Sequence, residues 1–197
     1  MTKYYFLAEN LKPSTAFACT KEATPIAHEL ISKVIEKSEL PFALFLKKVS
    51  RGKGGLIISD DLSGLRHIWL DYQPNNLAWP LMSEKMKSVI SAQLTGKEGI
   101  IWIKAIINGA DEIKEYYIPR FRQKLDVLDN QKTIFVKDTS HIIKPVFSLS
   151  KIIDYHLFFA PQEFWEITSG LYVSETLKKI MQKEKLTGIS FEYTSVL

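Results

Sequence analysis

Four histidines, His28, His67, His141 and His156, and a single cysteine, Cys19, are the side chains from which this sequence could build a metal site or a nucleophilic centre. Zinc-type sites gather ligands through short spacings such as H-x-x-x-H or paired Cys-x-x-Cys. Here the histidines are scattered and the cysteine has no second thiol, so no metal and no cofactor is expected. A reactive thiol needs a base or a positive environment beside it, and Phe17-Ala18-Cys19-Thr20 supplies neither. Cys19 therefore reads as a small buried residue. His28 falls beside the apolar stripe of a predicted helix and His67 in a predicted strand, where structural or surface histidines are commoner than ligands.

The remaining candidates for chemistry have plain structural readings. Asp60-Asp61 and Asp111-Glu112 are acidic pairs, the residue type that general acid/base catalysis uses, but both sit in turn-like contexts that suit solvated carboxylates. Arg51-Gly52-Lys53-Gly54-Gly55 is glycine-rich and basic, yet it lacks the full spacing and final Lys-Ser/Thr of a phosphate-binding loop, so a hairpin loop is the simpler reading. Lys47, Lys48, Arg51 and Lys53, or Arg120-Phe121-Arg122 with Lys124, could contact nucleic-acid phosphates. The 22 acidic residues interspersed with 26 basic ones favour an ordinary solvated face instead. No catalytic residue is expected, and the chain reads as a binding protein, not an enzyme.

The bulk composition agrees with that reading. A chain of 197 residues is long enough for one sizeable core, and residues 1–197 are expected to form a single domain, with 1–78 as a possible N-terminal subregion and 79–197 bearing a repeat. An apolar share of 46% and a charged share of 24% are those of a folded globular chain. Aromatic residues make up 12%, enough that some rings are expected to be surface anchors for a partner. The net charge of +4 and a pI near 9.0 favour acidic partners in general. The lone cysteine fits a reducing compartment, and the stretch before Glu9 is too short for a signal sequence or a membrane span. The cytoplasm is the expected location, with no membrane partner.

These residues need elements to position them. Tyr4-Tyr5-Phe6-Leu7 predicts a strand closed by Pro13. Thr24 as cap, Pro25 in the first turn, and Ile26, Leu30, Ile31, Val34 and Ile35 predict a helix ending near Pro41. Strands are predicted from Phe42 to Val49, over Leu56-Ile57-Ile58 and from Leu65 to Tyr72. Further short strands are predicted at Ile100–Ile103, Tyr116–Ile118, Thr133–Val136, His141–Ile143 with Val146-Phe147, and Ile189–Tyr193. Ile100–Ile103 is an unbroken apolar run and reads as buried.

A repeat joins two of these strands to helices. Met82-Ser83-Glu84 opens a helix that reaches Leu94-Thr95-Gly96, and about ninety residues later Val173-Ser174-Glu175 opens another that reaches Leu186-Thr187-Gly188. Met82, Met86, Val89 and Ile90 share the offsets of Val173, Leu177, Ile180 and Met181, so each helix has one buried stripe. The serines are expected to cap the helices, the glutamates to favour their positive ends, and the glycines to break them. The fold class that follows is α+β: a mixed or mainly antiparallel sheet with a few packed helices, containing two helix–strand units that resemble each other.

Trp79-Pro80-Leu81-Met82-Ser83-Glu84, the middle from Tyr116-Tyr117 through Leu125–Asp129, and above all Leu171-Tyr172-Val173-Ser174-Glu175 with Leu186-Thr187-Gly188-Ile189-Ser190-Phe191 resemble the bacterial immunity proteins encoded beside polymorphic toxins. That group includes families first catalogued as domains of unknown function. The resemblance covers residues 79 to 193. It implies an inhibitor that binds a cognate toxin, the product of an adjacent gene, by protein–protein interaction. Many such proteins are acidic and this one is basic, so the toxin surface it implies is acidic or mixed. Arg51, Lys53, Trp69, Tyr72 and Trp79 are the candidate partner-binding residues, with a core position as the alternative for Trp69 and Trp79. A nucleic-acid-binding or other interaction module with a basic surface is the alternative function.

Overall fold

The computed structural model describes residues 3–21, 27–194 and 196–197. It is α+β, with 38% of the chain in strands, mostly antiparallel, and 15% in four helices. The chain begins with β1 (Tyr4–Glu9), as its aromatic run predicts, and β2 (Ala16–Cys19), too short and alanine-rich to be predicted. Helix α1 (Ala27–Val34) buries Leu30, Ile31 and Val34, while the expected cap Thr24, Pro25 and Ile26 lie outside the described residues. It ends earlier than the sequence suggests. The Leu40 amide donates to the Lys104 carbonyl and the Lys104 amide to Ser38, so the chain has turned onto a neighbouring strand by Ser38.

Next come β3 (Leu44–Gly52) and β4 (Gly55–Ser59), a hairpin turning at Lys53-Gly54. The predicted strand from Leu65 to Tyr72 is instead an irregular strap. Its hydrogen bonds go to several places in turn: Arg66 and His67 donate to Ser14, Tyr72 donates to Thr187, and His67 and Asp71 accept from Ala16 and Ser83. A segment whose polar groups are divided among separate partners makes no ladder, however apolar it is. The chain continues through β5 (Met82–Ser83), α2 (Glu84–Ser91), β6 (Ile100–Gly109) and β7 (Glu112–Phe121), then the small hairpin β8 (Ile134–Phe135) and β9 (Ile142–Lys144). It closes with α3 (Leu149–Ile152), β10 (Leu157–Phe159), β11 (Leu171–Ser174), α4 (Glu175–Lys183) and β12 (Ile189–Thr194). Val146-Phe147 is no strand, Phe147 making only isolated bridges to Leu128 and Val196.

One sheet has the order β10-β11-β1-β12 and the larger one β2-β3-β6-β7-β5, with β4 attached to β3. Only β3 and β6 run parallel among these pairings. The repeat becomes three-dimensional here: β1 lies antiparallel between β11 and β12, as β7 lies between β5 and β6. Ser174 pairs with Tyr4 and Ser83 with Tyr116. Each serine has extended backbone and accepts from the third amide of its helix, Leu177 N at 3.2 Å and Met86 N at 3.1 Å, so both predicted caps form. The fourth residue of each helix, Lys87 or Lys178, sets its ammonium over the ring of Tyr117 or Tyr5, at 3.7 and 3.5 Å from the centroid. Gly96 and Gly188 both have positive φ, each four residues beyond its helix C-cap.

Met82, Met86, Ile90, Val173, Leu177 and Met181 are fully buried and share one apolar cluster, so the two repeat helices meet across their predicted stripes. A second cluster packs α1 and β2 on Ile103, Ala105, Ile107, Tyr116 and Ile118. Ile100–Ile103 is not wholly buried as its apolarity suggests: only Ile103 is, because alternate residues of β6 face different clusters.

Tyr4 and Tyr116 are buried at matching positions, and their hydroxyls donate to backbone carbonyls, Ile152 at 2.8 Å and Leu70 at 2.7 Å. Burial, helped by the charge of Asp154, pushes the Tyr4 pKa up to about 12, and burial with the charge of Asp71 raises Tyr116 as well. The folded state thus holds these protons more tightly than the unfolded chain, whose tyrosines titrate near about 10. Their contribution to stability is present below about pH 10 and is lost as pH rises toward the folded values. The urea midpoint should fall between about pH 9 and pH 12, and Tyr4→Phe should remove part of that fall. An undiminished fall in the variant would show that Tyr4 does not titrate this way.

Candidate functional site

The residues singled out for chemistry do not converge. Cys19 lies buried on β2, where burial pushes its thiol up against the weaker opposing charge of Lys47, which keeps it protonated and unreactive. His67 bridges to Thr15, His141 is exposed beyond β8, and the side chain of His28 lies outside what the structure describes. Among the described residues no group of three or more His, Cys, Asp or Glu is placed to hold a metal ion. The acidic pairs serve turns and surface ion pairs: Asp60 pairs with Lys47, Asp61 accepts from the amide and hydroxyl of Ser63, and Glu112 pairs with Lys114 at 2.9 Å.

One arrangement missed in the sequence has the look of a catalytic chain. The Ser174 hydroxyl lies 2.7 Å from His156 Nδ1, and the buried carboxylate of Glu98 lies 3.5 Å from the His156 amide. Its geometry is that of a clasp. Ser174 is only 4% exposed and already accepts from Leu177 N, and Glu98 meets the histidine backbone, not the ring whose tautomer an orienting acid would fix. The other repeat copy shows the same architecture with different residues. There the Ser83 hydroxyl donates to Asp71 at 2.7 Å, and both cap amides bond the carbonyl of the residue that holds them, Ser83 to Asp71 and Ser174 to His156.

The clasps also reach the Leu-Thr-Gly loops. Glu98 accepts from the Thr95 amide and hydroxyl at 3.0 and 2.9 Å, and Asp71 accepts from those of Thr187 at 2.8 and 2.9 Å. Ser83, Asp71 and Thr187 thus tie the first cap to the second loop, and Ser174, His156, Glu98 and Thr95 tie the second cap to the first loop. These polar groups hold the copies together.

The five partner-binding candidates separate. Tyr72 is 1% and Trp79 3% exposed, so the folded chain offers neither ring to a partner; the turn beside them folds inward because Asn75 accepts from the Leu77 and Trp79 amides and donates to the Trp79 carbonyl. Trp69 is half-buried on the strap, stacked on Tyr116, with the Lys114 ammonium 4.6 Å from its ring centroid; its indole N–H finds no acceptor among the described residues. It lines an open cleft of about 510 Å³ with Asp71, Glu84, Lys85, Ile113 and Lys114. Arg51 and Lys53 are exposed on the β3–β4 hairpin and form no ion pair among the described residues.

That hairpin is the most open surface feature. The first half of β3 is held in the sheet by β2 and β6, but from Val49 onward, among the described residues, it pairs only with β4. Leu56, Ile57 and Ile58 on β4 are 69%, 56% and 59% exposed. Three consecutive aliphatic side chains in water, on a strand whose two faces are both left open by the described residues, suit contact with another protein. The arm from Leu44 to Ser59 carries four cations, Lys47, Lys48, Arg51 and Lys53, and no carboxylate. What it can do chemically is bind: apolar area at the centre, positive charge at the rim.

No curated protein matches this chain. Residues 61–196, a stretch that contains both repeat helices, match the model of the immunity protein family Imm11.

Proposed function

The chain belongs to the Imm11 immunity protein family, and from that membership we propose that it binds and neutralises a cognate bacterial toxin through a protein–protein interface. The carrying observation is the family match across residues 61–196, which spans the clasped repeat. The toxin is the product of an adjacent gene, and the protein meets it in the cytoplasm, covering the toxin without catalysing a reaction on it. Among the described residues no helix is long and apolar enough to cross a membrane. Arg51, Lys53 and Trp69 contribute contacts, while Tyr72 and Trp79 support the surface from the core.

The four cations of the arm favour one competing reading, binding of nucleic-acid phosphates. Phosphate contact does not use Leu56, Ile57 and Ile58, which the toxin reading does use, and the toxin reading is therefore preferred.

The test co-expresses the tagged protein with the neighbouring gene product and measures stoichiometric capture together with growth. Capture with restored growth is the expected result. A toxic neighbour that is neither captured nor relieved sinks the reading, and binding to random-sequence DNA that weakens steeply with salt would replace it.

A further inference from the structure

We propose that β4 is a docking strand: its open edge takes up an extended strand of the toxin whose apolar side chains meet Leu56, Ile57 and Ile58 and whose carboxylates meet Arg51 and Lys53. This rests on the toxin-binding reading and adds where and how the contact is made.

Edge strands are ordinarily protected by charged residues, proline, bulges or a covering segment, because their unpaired N–H and C=O groups invite another strand. Gly55-Leu56-Ile57-Ile58-Ser59 has none of the first two, and its register with β3 runs without a shift from Gly52–Gly55 to Lys48–Ser59. Among the described residues its backbone pairs only with β3. The exposed aliphatic run that this leaves is one that the described fold does not explain, since burying it would need a covering element that the described residues do not provide. Strand addition supplies both missing partners at once: backbone groups for the open edge, and apolar area for side chains that alternate across the two faces.

The charge pattern distinguishes a foreign partner from a second copy. Lys47 is already paired with Asp60, and Lys48 donates to the Ser63 carbonyl at 2.9 Å, while Arg51 and Lys53 at the tip have no ion-pair partner among the described residues. A second copy would bring another arm without carboxylates, and its nearby acids are engaged, Asp60 by Lys47 and Asp61 by Ser63. An acidic partner meets both free cations. The arm also stands outside residues 61–196, so it belongs to this chain and not to the stretch that the family model matches.

The experiment compares full-length wild type, Leu56→Lys/Ile58→Lys and Arg51→Glu/Lys53→Glu for binding to the purified product of the adjacent gene, with amide hydrogen exchange of the complex. Circular dichroism and thermal unfolding establish that both variants fold, as exposed substitutions should. Expected are at least tenfold weaker binding by the first variant, weaker and less salt-sensitive binding by the second, and slowed exchange over Gly55–Ser59 in the wild-type complex. Wild-type affinity in both variants overturns the proposal while leaving the toxin reading intact. Weaker binding without slowed exchange overturns strand addition. A dimeric wild type made monomeric by Leu56→Lys/Ile58→Lys would assign the edge to a second copy, and a wild type that binds no neighbour product removes the toxin reading and this proposal together.

Discussion

Gly188→Ala should cost about 3 kcal/mol or more of stability, while Gly96→Ala at the matching place in the other copy should cost only about 1 kcal/mol. Both glycines have left-handed backbone, φ +81° and +85°, which a side chain adopts at a cost of about 1 kcal/mol. The difference lies in the surroundings. A Cβ on Gly188 would stand 2.3 Å from the Tyr72 carbonyl oxygen and 3.1 Å from Leu70 Cβ, whereas nothing lies within 4 Å of one on Gly96. The strap cannot easily retreat, because Tyr72 N donates to Thr187 O and Asn10 N to Gly188 O, both at 3.0 Å. With total stabilities of about 5–15 kcal/mol for natural domains, the first substitution should leave a marginal protein and the second an ordinary one. Urea unfolding of the two variants decides this, and equal costs would mean that the close approach of strap and loop is not what that glycine serves.

The comparison also shows how far the repeat was legible. Ser-Glu, the helix stripes and Leu-Thr-Gly are local, so their caps and buried faces could be read directly. The strands predicted at Tyr4–Leu7 and Tyr116–Ile118 both form, but their place at the centre of each copy could not be read, although Tyr4-Tyr5 and Tyr116-Tyr117 stand in the sequence as matching pairs. In one copy that strand follows the helix–strand unit and in the other it comes from the far end of the chain, so β1 completes a copy that begins at Leu171. Linear counting places the N-terminal segment outside the repeat, and only the sheet brings it in. The clasp residues Asp71, Glu98 and His156 were hidden for the same reason: each contacts its serine or threonine across a fold-level gap or through an unremarkable loop.

The candidate surface was legible in its charges and not in its apolar part. Arg51 and Lys53 flank glycines that demand a turn, so their exposure follows from local rules. Leu56-Ile57-Ile58 obeys the usual rule for an interior strand, and nothing in its composition says that the covering element is missing. Tyr72 shows the opposite: a ring beside a turn sequence, Gln73-Pro74-Asn75-Asn76, reads as exposed, but a strap running between two sheets turns it inward. Whether an aromatic or aliphatic side chain meets water is decided by which segments pass over it, and that is tertiary information.

Asp71→Ala should lower stability by about 2–3 kcal/mol, the second largest effect expected, because one carboxylate then stops serving three donors. Those donors are Ser83 Oγ, Thr187 N and Thr187 Oγ1, at 2.7, 2.8 and 2.9 Å. Asp71→Asn keeps an acceptor for the loop and should cost about 1 kcal/mol, since hydrogen bonds to a neutral group are weaker. Asp126→Ala, which breaks an ion pair whose aspartate side chain is 77% exposed, should cost under about 1 kcal/mol and separates the clasp from generic loss of charge. The decisive measurement is a cycle. If Asp71 joins the copies through Thr187, then Asp71→Ala/Thr187→Ala should cost clearly less than the sum of the single changes, and additive costs would dismiss the clasp. Because Asp71 bonds Ser83 and Thr187 while β4 pairs with β3, Asp71→Ala should reduce protection of the cell by lowering the amount of folded protein. Its affinity for the partner, measured where the variant is still folded, should fall far less than that of the arm variants, since Asp71 borders the Trp69 cleft and not the arm; the arm variants should show the reverse pattern, full stability with lost affinity.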